Sequence, residues 1–376
     1  MSEKLIYLDN AATTAVDGRV LDAMLPYFCE EYANPAGMYS FSAKARNAVE
    51  KARSQAAELI GADPQEIVFT SGGTESDNMA LAGFTNIVTC GNEHPAILNT
   101  CKEAEKHGAK LSYVPSDPYG FADIDAVRQK AREGVQLVSI MTANNELGCI
   151  NDVGMIAEIA HEAGALFHTD AVQAAGHITM DVKKNGTDML SISSHKLHGP
   201  KGIGALFIRK GVKKEALIYG GGQEKGLRSG TLNVPAIVGF GEACRIAREE
   251  ETISYTETLR KKEYFADLLT GEIEGVRINS PKEKCLPSIL SVSFERIESS
   301  SLLIELDMKG ICCSAGSACS ASSGKPSHVL TAAGLPADVI RGTLRFSFSR
   351  FTTDEELETT AAAVKECVAR LRRLIV

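Results

Sequence analysis

The sequence has no uninterrupted apolar run long enough to cross a bilayer, which excludes an ordinary helical membrane span. Its opening stretch, MSEKLIYLDNAATT, carries charges where an export signal needs an apolar core, so a cytoplasmic location is expected. Positive charge is also short: 40 Lys and Arg against 48 Asp and Glu give a net charge of −8. A general nucleic-acid binder would show a basic face instead. The basic cluster RLRR near the end falls in the last turn of a predicted helix, where cations favour the dipole. The ten cysteines include no CxxC pair, so the spacing supports neither a zinc ribbon nor a thioredoxin-like motif. In a long chain with no export signal they are expected to stay reduced. There is no internal repeat and no long low-complexity linker. The Asn185-Gly-Thr triplet matches a glycosylation acceptor, but in this setting it reads as an Asn-Gly turn.

What is present is an ordinary globular composition, 44% hydrophobic and 23% charged over 376 residues. That length suggests two to three domains. Through the first two-thirds, short apolar runs alternate with amphipathic segments. EIVFT (from Glu66), NIVTC (from Asn86), LSYVP (from Leu111), QLVSIMT (from Gln136), ALFHTD (from Ala165) and DMLSIS (from Asp188) read as buried strands. DVGMIAEIAHEAG reads as a helix with Asp152 at its N-cap. The alternation implies a mostly parallel sheet covered on both faces. GIGALFIRK follows too closely for a crossover and is expected to return antiparallel. A long helix is expected from near Pro235 toward Leu269. After it, single strands (SILSVSF, TLRFSFS) mix with helices, the last being TDEELETTAAAVKECVARLRRLI, which suggests a smaller α+β domain.

Ligands of open α/β sheets bind beyond the carboxyl ends of the strands, so the residues just after each strand carry the chemistry. SGGTESDN follows the first run: two glycines allow a tight turn, and the helix that opens there suits an anion such as phosphate. Glu75 sits in the same turn and must point away for that to hold. Asp170 ends a buried strand, either as a carboxylate needing a partner or as a helix cap. Lys196, in SHKLHGPKGIG, follows another buried strand, and a desolvated lysine can act as a Schiff-base amine. The two histidines of HKLH have a possible metal spacing, but no third ligand lies nearby in sequence. A phosphate cradle, a strand-end Asp and a strand-end Lys are together what pyridoxal 5'-phosphate requires: an amine to carry it and a carboxylate to keep its ring nitrogen protonated. A neighbouring cation is expected to keep that carboxylate ionised.

The segments YLDNAATT, NPAGMYSFS, IVFTSGGTESDN, NEHPAIL, ANNELG, FHTDAVQAAG, SISSHKLHGPKGIGAL, GGGQEKGLRSGT, SAGSAC and RFSFSRFTT occur in this order along nearly the whole chain. In this the sequence resembles the cysteine desulfurases of the NifS/IscS type, in the class-V branch of the fold-type-I pyridoxal-phosphate enzymes. The resemblance implies a mostly parallel central sheet with helices on both faces, plus a smaller α+β C-terminal domain. It implies a large domain at 16–250, with 1–15 and 251–376 forming the small one. Lys196 resembles the Schiff-base lysine, Asp170 the partner of the ring nitrogen, and Gln173 the contact to the phenolic oxygen. His94 resembles the histidine that stacks on the ring and shuttles protons, and Asn145 the asparagine beside cofactor and substrate. Gly73, Thr74, Ser193 and His195 match the phosphate cradle. Thr231 resembles the threonine given to that phosphate by the other subunit, which implies a homodimer. Arg345 resembles the clamp on the substrate carboxylate, with Asn34 as a further substrate contact.

The resemblance makes Cys319, in GSAC, the nucleophile that takes sulfur from L-cysteine as a persulfide, releasing L-alanine. His94 is the expected acceptor of the thiol proton, with the substrate thiol as the alternative source of it. An acceptor protein then takes the sulfur, for iron–sulfur cluster assembly or tRNA thiolation. Some relatives carry a scaffold-docking tail that this sequence does not show, which leaves the acceptor open. Cys312 and Cys313 are expected to be buried packing residues facing opposite sides of a strand, with a sulfur relay as the alternative. Cys29, Cys90, Cys101, Cys149, Cys244, Cys285 and Cys367 are taken as packing or incidental. Selenocysteine lyase and cysteine-sulfinate desulfinase are alternatives on the same fold. An aminotransferase would leave GSAC without purpose, and a non-enzymatic thiol or metal module would leave Lys196, Asp170 and His94 unexplained.

Overall fold

A computed structural model describes residues 5–316 and 326–374. Its strands in chain order begin with β1 (Ile6–Tyr7), β2 (Ile67–Thr70), β3 (Asn86–Cys90) and β4 (Lys110–Val114). Next come β5 (Leu137–Ser139), β6 (Leu166–Asp170), β7 (Met189–Ser193) and β8 (Gly204–Ile208). The last are β9 (Val276–Ile278), β10 (Ile289–Phe294), β11 (Ile311–Cys312) and β12 (Thr343–Ser347). A seven-stranded sheet has the order β2-β8-β7-β6-β5-β3-β4. Pairing is parallel from β7 through β6, β5 and β3 to β4, while β8 runs antiparallel to both β7 and β2. The expected reversal at GIGALFIRK is therefore present, and β2 ends up pointing the same way as β7.

The apolar runs are continuous because both faces are covered. Ile67 and Phe69 pack toward the helices Ser40–Ile60 and Val234–Glu272, while Val68 between them packs on the other face with Met79, Ile87 and Leu206. β4 is the exception to the expected buried strands. It lies at the sheet edge, with Lys110 and Tyr113 exposed, so only Val114 is fully buried. β5 is shorter than QLVSIMT suggests. Past Ser139 the chain still bonds to β6 through Ile140 N and Thr142 N, but on its other side the Met141 N–H is taken by the buried Glu93 carboxylate (2.7 Å).

A three-stranded antiparallel sheet, order β12-β10-β9, forms the second core, with Phe265, Phe346 and Phe348 meeting edge to face. β1 pairs parallel with β11, bringing Ile6 and Leu8 into that core. The helix Val234–Glu272 is capped by Asn233, carries Pro235 in its first turn, and reaches both cores: Ile237 and Phe240 pack in the first, Phe265 and Leu269 in the second. The boundary expected at 250/251 falls inside this unbroken helix. Asp152 caps the helix Val153–Glu162 by accepting from Met155 N, and the final helix, Asp354–Arg373, ends on RLRR, both as expected. Gly186 has φ +66°, in keeping with a turn at Asn185. No helix among the described residues is long and apolar enough to cross a membrane.

Candidate active site

The parallel strands all end at one edge of the large sheet, and side chains from five of their connections meet there. They wall a cavity of about 210 Å³ together with Ala11, Ala12 and Arg345. Ten residues singled out from sequence line it: Gly73, Thr74, His94, Asn145, Asp170, Gln173, Ser193, His195, Lys196 and Arg345. Thr231 is exposed and does not. Asn34 borders a separate cavity of about 410 Å³ that also touches Arg46 and Arg53. Cys319 lies outside the described residues.

Lys196 closes a single tight turn, Ser194–Lys196, directly after β7 and is buried. Its Nζ donates to the carbonyls of Ala11 and Ala12, the latter at 2.8 Å. The segment supplying those carbonyls is itself tied down: Thr14 donates through N and Oγ1 to His195 O, and its Oγ1 accepts from His198 N. Gln173 Nε2 donates to Ala11 O as well (2.9 Å). The two histidines of HKLH are occupied by the same segment, His195 Nδ1 with Thr13 Oγ1 (3.2 Å) and His198 Nδ1 with Ala15 O (3.0 Å). Burial lowers both rings to about 4, so both are neutral at pH 7.

Asp170 ends β6, and its Oδ1 accepts from Val172 N (2.8 Å), so it caps the turn and faces the cavity at once. Burial raises its carboxyl above the ordinary value, while the charges of His94 and Lys196 and the Val172 N–H pull the other way. In the chain alone burial outweighs the neighbouring groups, so the shift is upward, against the expectation that a cation lowers this carboxyl. Asp77, His94 and Asp170 bring one side-chain oxygen or nitrogen each within 4.8 Å of one another. Asp77 is fully buried, its Oδ1 has no hydrogen-bond partner among the described residues, and burial together with the charge of Asp170 raises it well above its ordinary value. Of this pair, Asp77 is pushed the harder toward its neutral form.

His94 caps the helix Pro95–Lys106: its Nδ1 accepts from Ala96 N (3.1 Å). A neutral ring in this arrangement carries its proton on Nε2 and offers a donor. Burial lowers its pKa, Asp170 opposes that, and the charge of Lys196 adds to it.

The anion cradle follows β2. Gly72 takes φ 150°, a conformation for glycine alone, and a Cβ on Gly73 would stand 2.7 Å from Val172 Cγ2. The helix Gly73–Leu81 then starts at the cavity wall, and its first-turn N–H groups have no partner within the helix. The Ser193 hydroxyl beside it is buried and has no hydrogen-bond partner among the described residues. Glu75 does point away. It accepts from Ser71 N (2.7 Å) and pairs with Arg228 (2.9 Å), and these bonds outweigh burial to hold its carboxyl below the ordinary value.

Arg345 comes from β12 of the small sheet and is almost wholly buried. Nη1 donates to Asn145 O (2.7 Å) and Nη2 to Asp9 Oδ1 (2.7 Å), while the buried Nε has no partner. Asp9, Asp77 and the Ala11 and Ala12 carbonyls were missed as site groups. Asp9 and the alanines stood in YLDNAATT, a segment quoted for its resemblance without any role for its residues. Glu146, in ANNELG, was also missed: it is buried and accepts from Ser327 Oγ (2.5 Å). Cys312 and Cys313 are each only partly buried, against the expectation of burial, because β11 is two residues long and pairs only with β1.

Residues 6–359 match the family described as "Aminotransferase class-V". The chain belongs to the class-V aminotransferase family. Within it, a cysteine desulfurase IscS of Methanosarcina thermophila is 45% identical, the match covering 99% of this chain and 94% of that protein. A solved structure of a NifS-like protein superposes with TM-score 0.91 at 38% identity, over 97% of this chain and all of that one. Another, "SspA in complex with cysteine", gives TM-score 0.82 at 35% identity, over 92% and 99% of the two chains. The class-V fold is thus shared along nearly the full length, and the cavity described above belongs to it.

Proposed function

We propose that this chain is a pyridoxal-phosphate-dependent cysteine desulfurase: it converts L-cysteine to L-alanine and holds the sulfur as a persulfide on Cys319 for an acceptor protein. The observation that carries the reading is the convergence of Lys196, Asp170 and His94 in one cavity, with the guanidinium of Arg345 across from them. The groups present fit the cofactor. The glycine turn, the open helix start and the unpartnered Ser193 hydroxyl suit its phosphate, Asp170 its ring nitrogen, Gln173 its phenolic oxygen, and Lys196 its carbonyl carbon.

When bound, pyridoxal phosphate supplies an electron sink for negative charge developing at the substrate Cα. Asp170 holds the proton of the ring nitrogen in place, and ionisation there is favoured once a cationic ring nitrogen is its partner. The Ala11 and Ala12 carbonyls hold Lys196 Nζ at the cavity, where as a free amine it removes the Cα proton. Arg345 binds the substrate carboxylate: of its five N–H donors, Asn145 O and Asp9 Oδ1 take one each, which leaves Nε–H and one proton on each Nη. His94, in the cavity wall, has Nδ1 engaged by Ala96 N, so its neutral ring offers Nε2–H as a proton donor and not, in this tautomer, the acceptor of the thiol proton expected of it. The Cys319 thiolate forms an S–S bond to the substrate sulfur as the substrate's Cβ–S bond breaks, and alanine leaves once Cβ has gained a proton and Cα has taken one back. A second copy of the chain brings Thr231 to the phosphate and covers the exposed Phe28, Tyr32, Met38 and Tyr39. The enzyme works in the cytoplasm.

The test is incubation of the purified chain with L-cysteine, without reductant, followed by peptide mass mapping and an alanine assay. One added sulfur on the Cys319 peptide with alanine released, both lost in Cys319→Ala, is the expected outcome. Bound cofactor with neither product would overturn the reading.

A further inference from the structure

Cys149 and Cys285 lie directly opposite each other in a short antiparallel pairing outside the named strands. Ile150 N donates to Lys284 O (2.7 Å) and Leu286 N to Gly148 O (2.8 Å). These bonds flank the two cysteines, which therefore occupy the non-hydrogen-bonded position of the pair. There the Cα atoms stand about 4.5 Å apart and the side chains come closest. A disulfide spans Cα separations of about 4.4–6.8 Å, so side-chain rotation alone can join them.

A third group sets this pair apart from packing. Lys262, from the long helix Val234–Glu272, donates from Nζ to Cys285 Sγ (2.9 Å) and to Leu286 O (2.9 Å). All three side chains are buried, Cys149 completely. Among the described residues Lys262 bonds to no carboxylate, and a buried ammonium needs an anion beside it; the thiolate of Cys285 is within reach. An ammonium on a thiol stabilises the thiolate, the nucleophilic form. Burial raises both thiols, and Lys262 counters it at Cys285.

We propose that Cys149, Cys285 and Lys262 form a peroxide-responsive thiol pair that closes to a reversible disulfide, with Lys262 holding Cys285 ready as the attacking sulfur. Cys285 sulfur attacks one oxygen of hydrogen peroxide, the O–O bond breaks, and the departing hydroxide leaves as water with a proton. Cys285 is then a sulfenic acid. Cys149 sulfur displaces its hydroxyl, which takes the Cys149 proton and leaves as a second water. Two thiols are oxidised to one disulfide and one peroxide is reduced to two waters. The bond would fix the turn that carries Asn145 and Glu146, just before Cys149, to the segment entering β10.

The full chain, reduced and desalted, is titrated with hydrogen peroxide, its free thiols are blocked, and it is cut with trypsin without reductant. The peptides 133–183 and 285–296 each contain one cysteine of the pair. Expected are these two peptides joined, released by dithiothreitol and absent in Cys149→Ser, where a sulfenic-acid trap instead labels 285–296. In Lys262→Met, confirmed folded by its melting curve, joining is expected at least about tenfold slower. Absence of the joined peptides in the unmodified chain, or Cys285 joined to another cysteine, overturns the pair. An unchanged rate in Lys262→Met overturns the role of the lysine. The mapped bond is the readout because peroxide also reaches other thiols, Cys319 among them.

Discussion

Asp77 and Asp170 are two carboxyls in one buried pocket, and their surroundings separate them. Asp170 has a backbone N–H with Lys196 and His94 beside it, whereas Asp77 has one unpartnered oxygen and a like charge beside it. Ionising both so close together is unfavourable, so they titrate as a pair, and Asp77 is the one pushed the harder toward its neutral form. An asparagine is close in shape to a protonated aspartic acid. Asp77→Asn is therefore expected to stay within about 1 kcal/mol of the parent in urea unfolding and to keep most of its alanine release. Asp170→Asn removes the charge meant for the cofactor ring and should lower alanine release by about 100-fold or more. If Asp77→Asn were the more damaging of the two, the assignment of the charge would be reversed. Asp170 was legible because it ended an apolar run. Asp77 was not: in SGGTESDN it reads as one more polar residue of a helix start, and only the sheet beneath that helix shows it to be buried.

Among the elements, the strands were legible because apolar runs bounded by turn residues leave few other readings. What the runs could not tell was position in the sheet. LSYVP resembles its neighbours in composition yet forms the exposed edge, because edge placement depends on the order in which strands pair. The return of β8 was legible from the shortness of its connection, and the crowding it creates was not. A Cβ on Gly204 would stand 2.5 Å from Ile192 O and 2.8 Å from Gly72 Cα, both backbone atoms unable to swing aside. Gly204→Ala is accordingly expected to cost about 1–3 kcal/mol in denaturant unfolding. It should also weaken cofactor retention, since Gly72 forms part of the cradle. A variant as stable as the parent would show that β8 has room to move.

At the scale of the whole molecule, the cavity is built from parts far apart in sequence. Resemblance brought Arg345 and Lys196 together on paper; no pattern of spacing could have shown that Asp9 and Asn145 hold that arginine. Because the groups proposed to hold the cofactor come from many connections, losing it should be felt globally. A ligand held at 1,000 times its Kd adds about 4 kcal/mol to stability. In a chain of this size, stripping pyridoxal phosphate is expected to lower the melting midpoint by roughly 5–10 °C, with recovery on adding it back. An unchanged midpoint would mean that these groups do not close on the cofactor together.

The pairing of β1 with β11 has a consequence for how the chain is made. Ile6 leaves the ribosome some three hundred residues ahead of Ile311, its partner in the ladder. The large sheet cannot close until β8 has followed β2, and the Ala11 and Ala12 carbonyls have no fixed place until β1 has found β11. Contacts between such distant positions form slowly, because a large loop must close before they contribute. The amine of Lys196 therefore waits on the nascent chain without its two carbonyl anchors, and the catalytic pocket is among the last parts of the protein to mature.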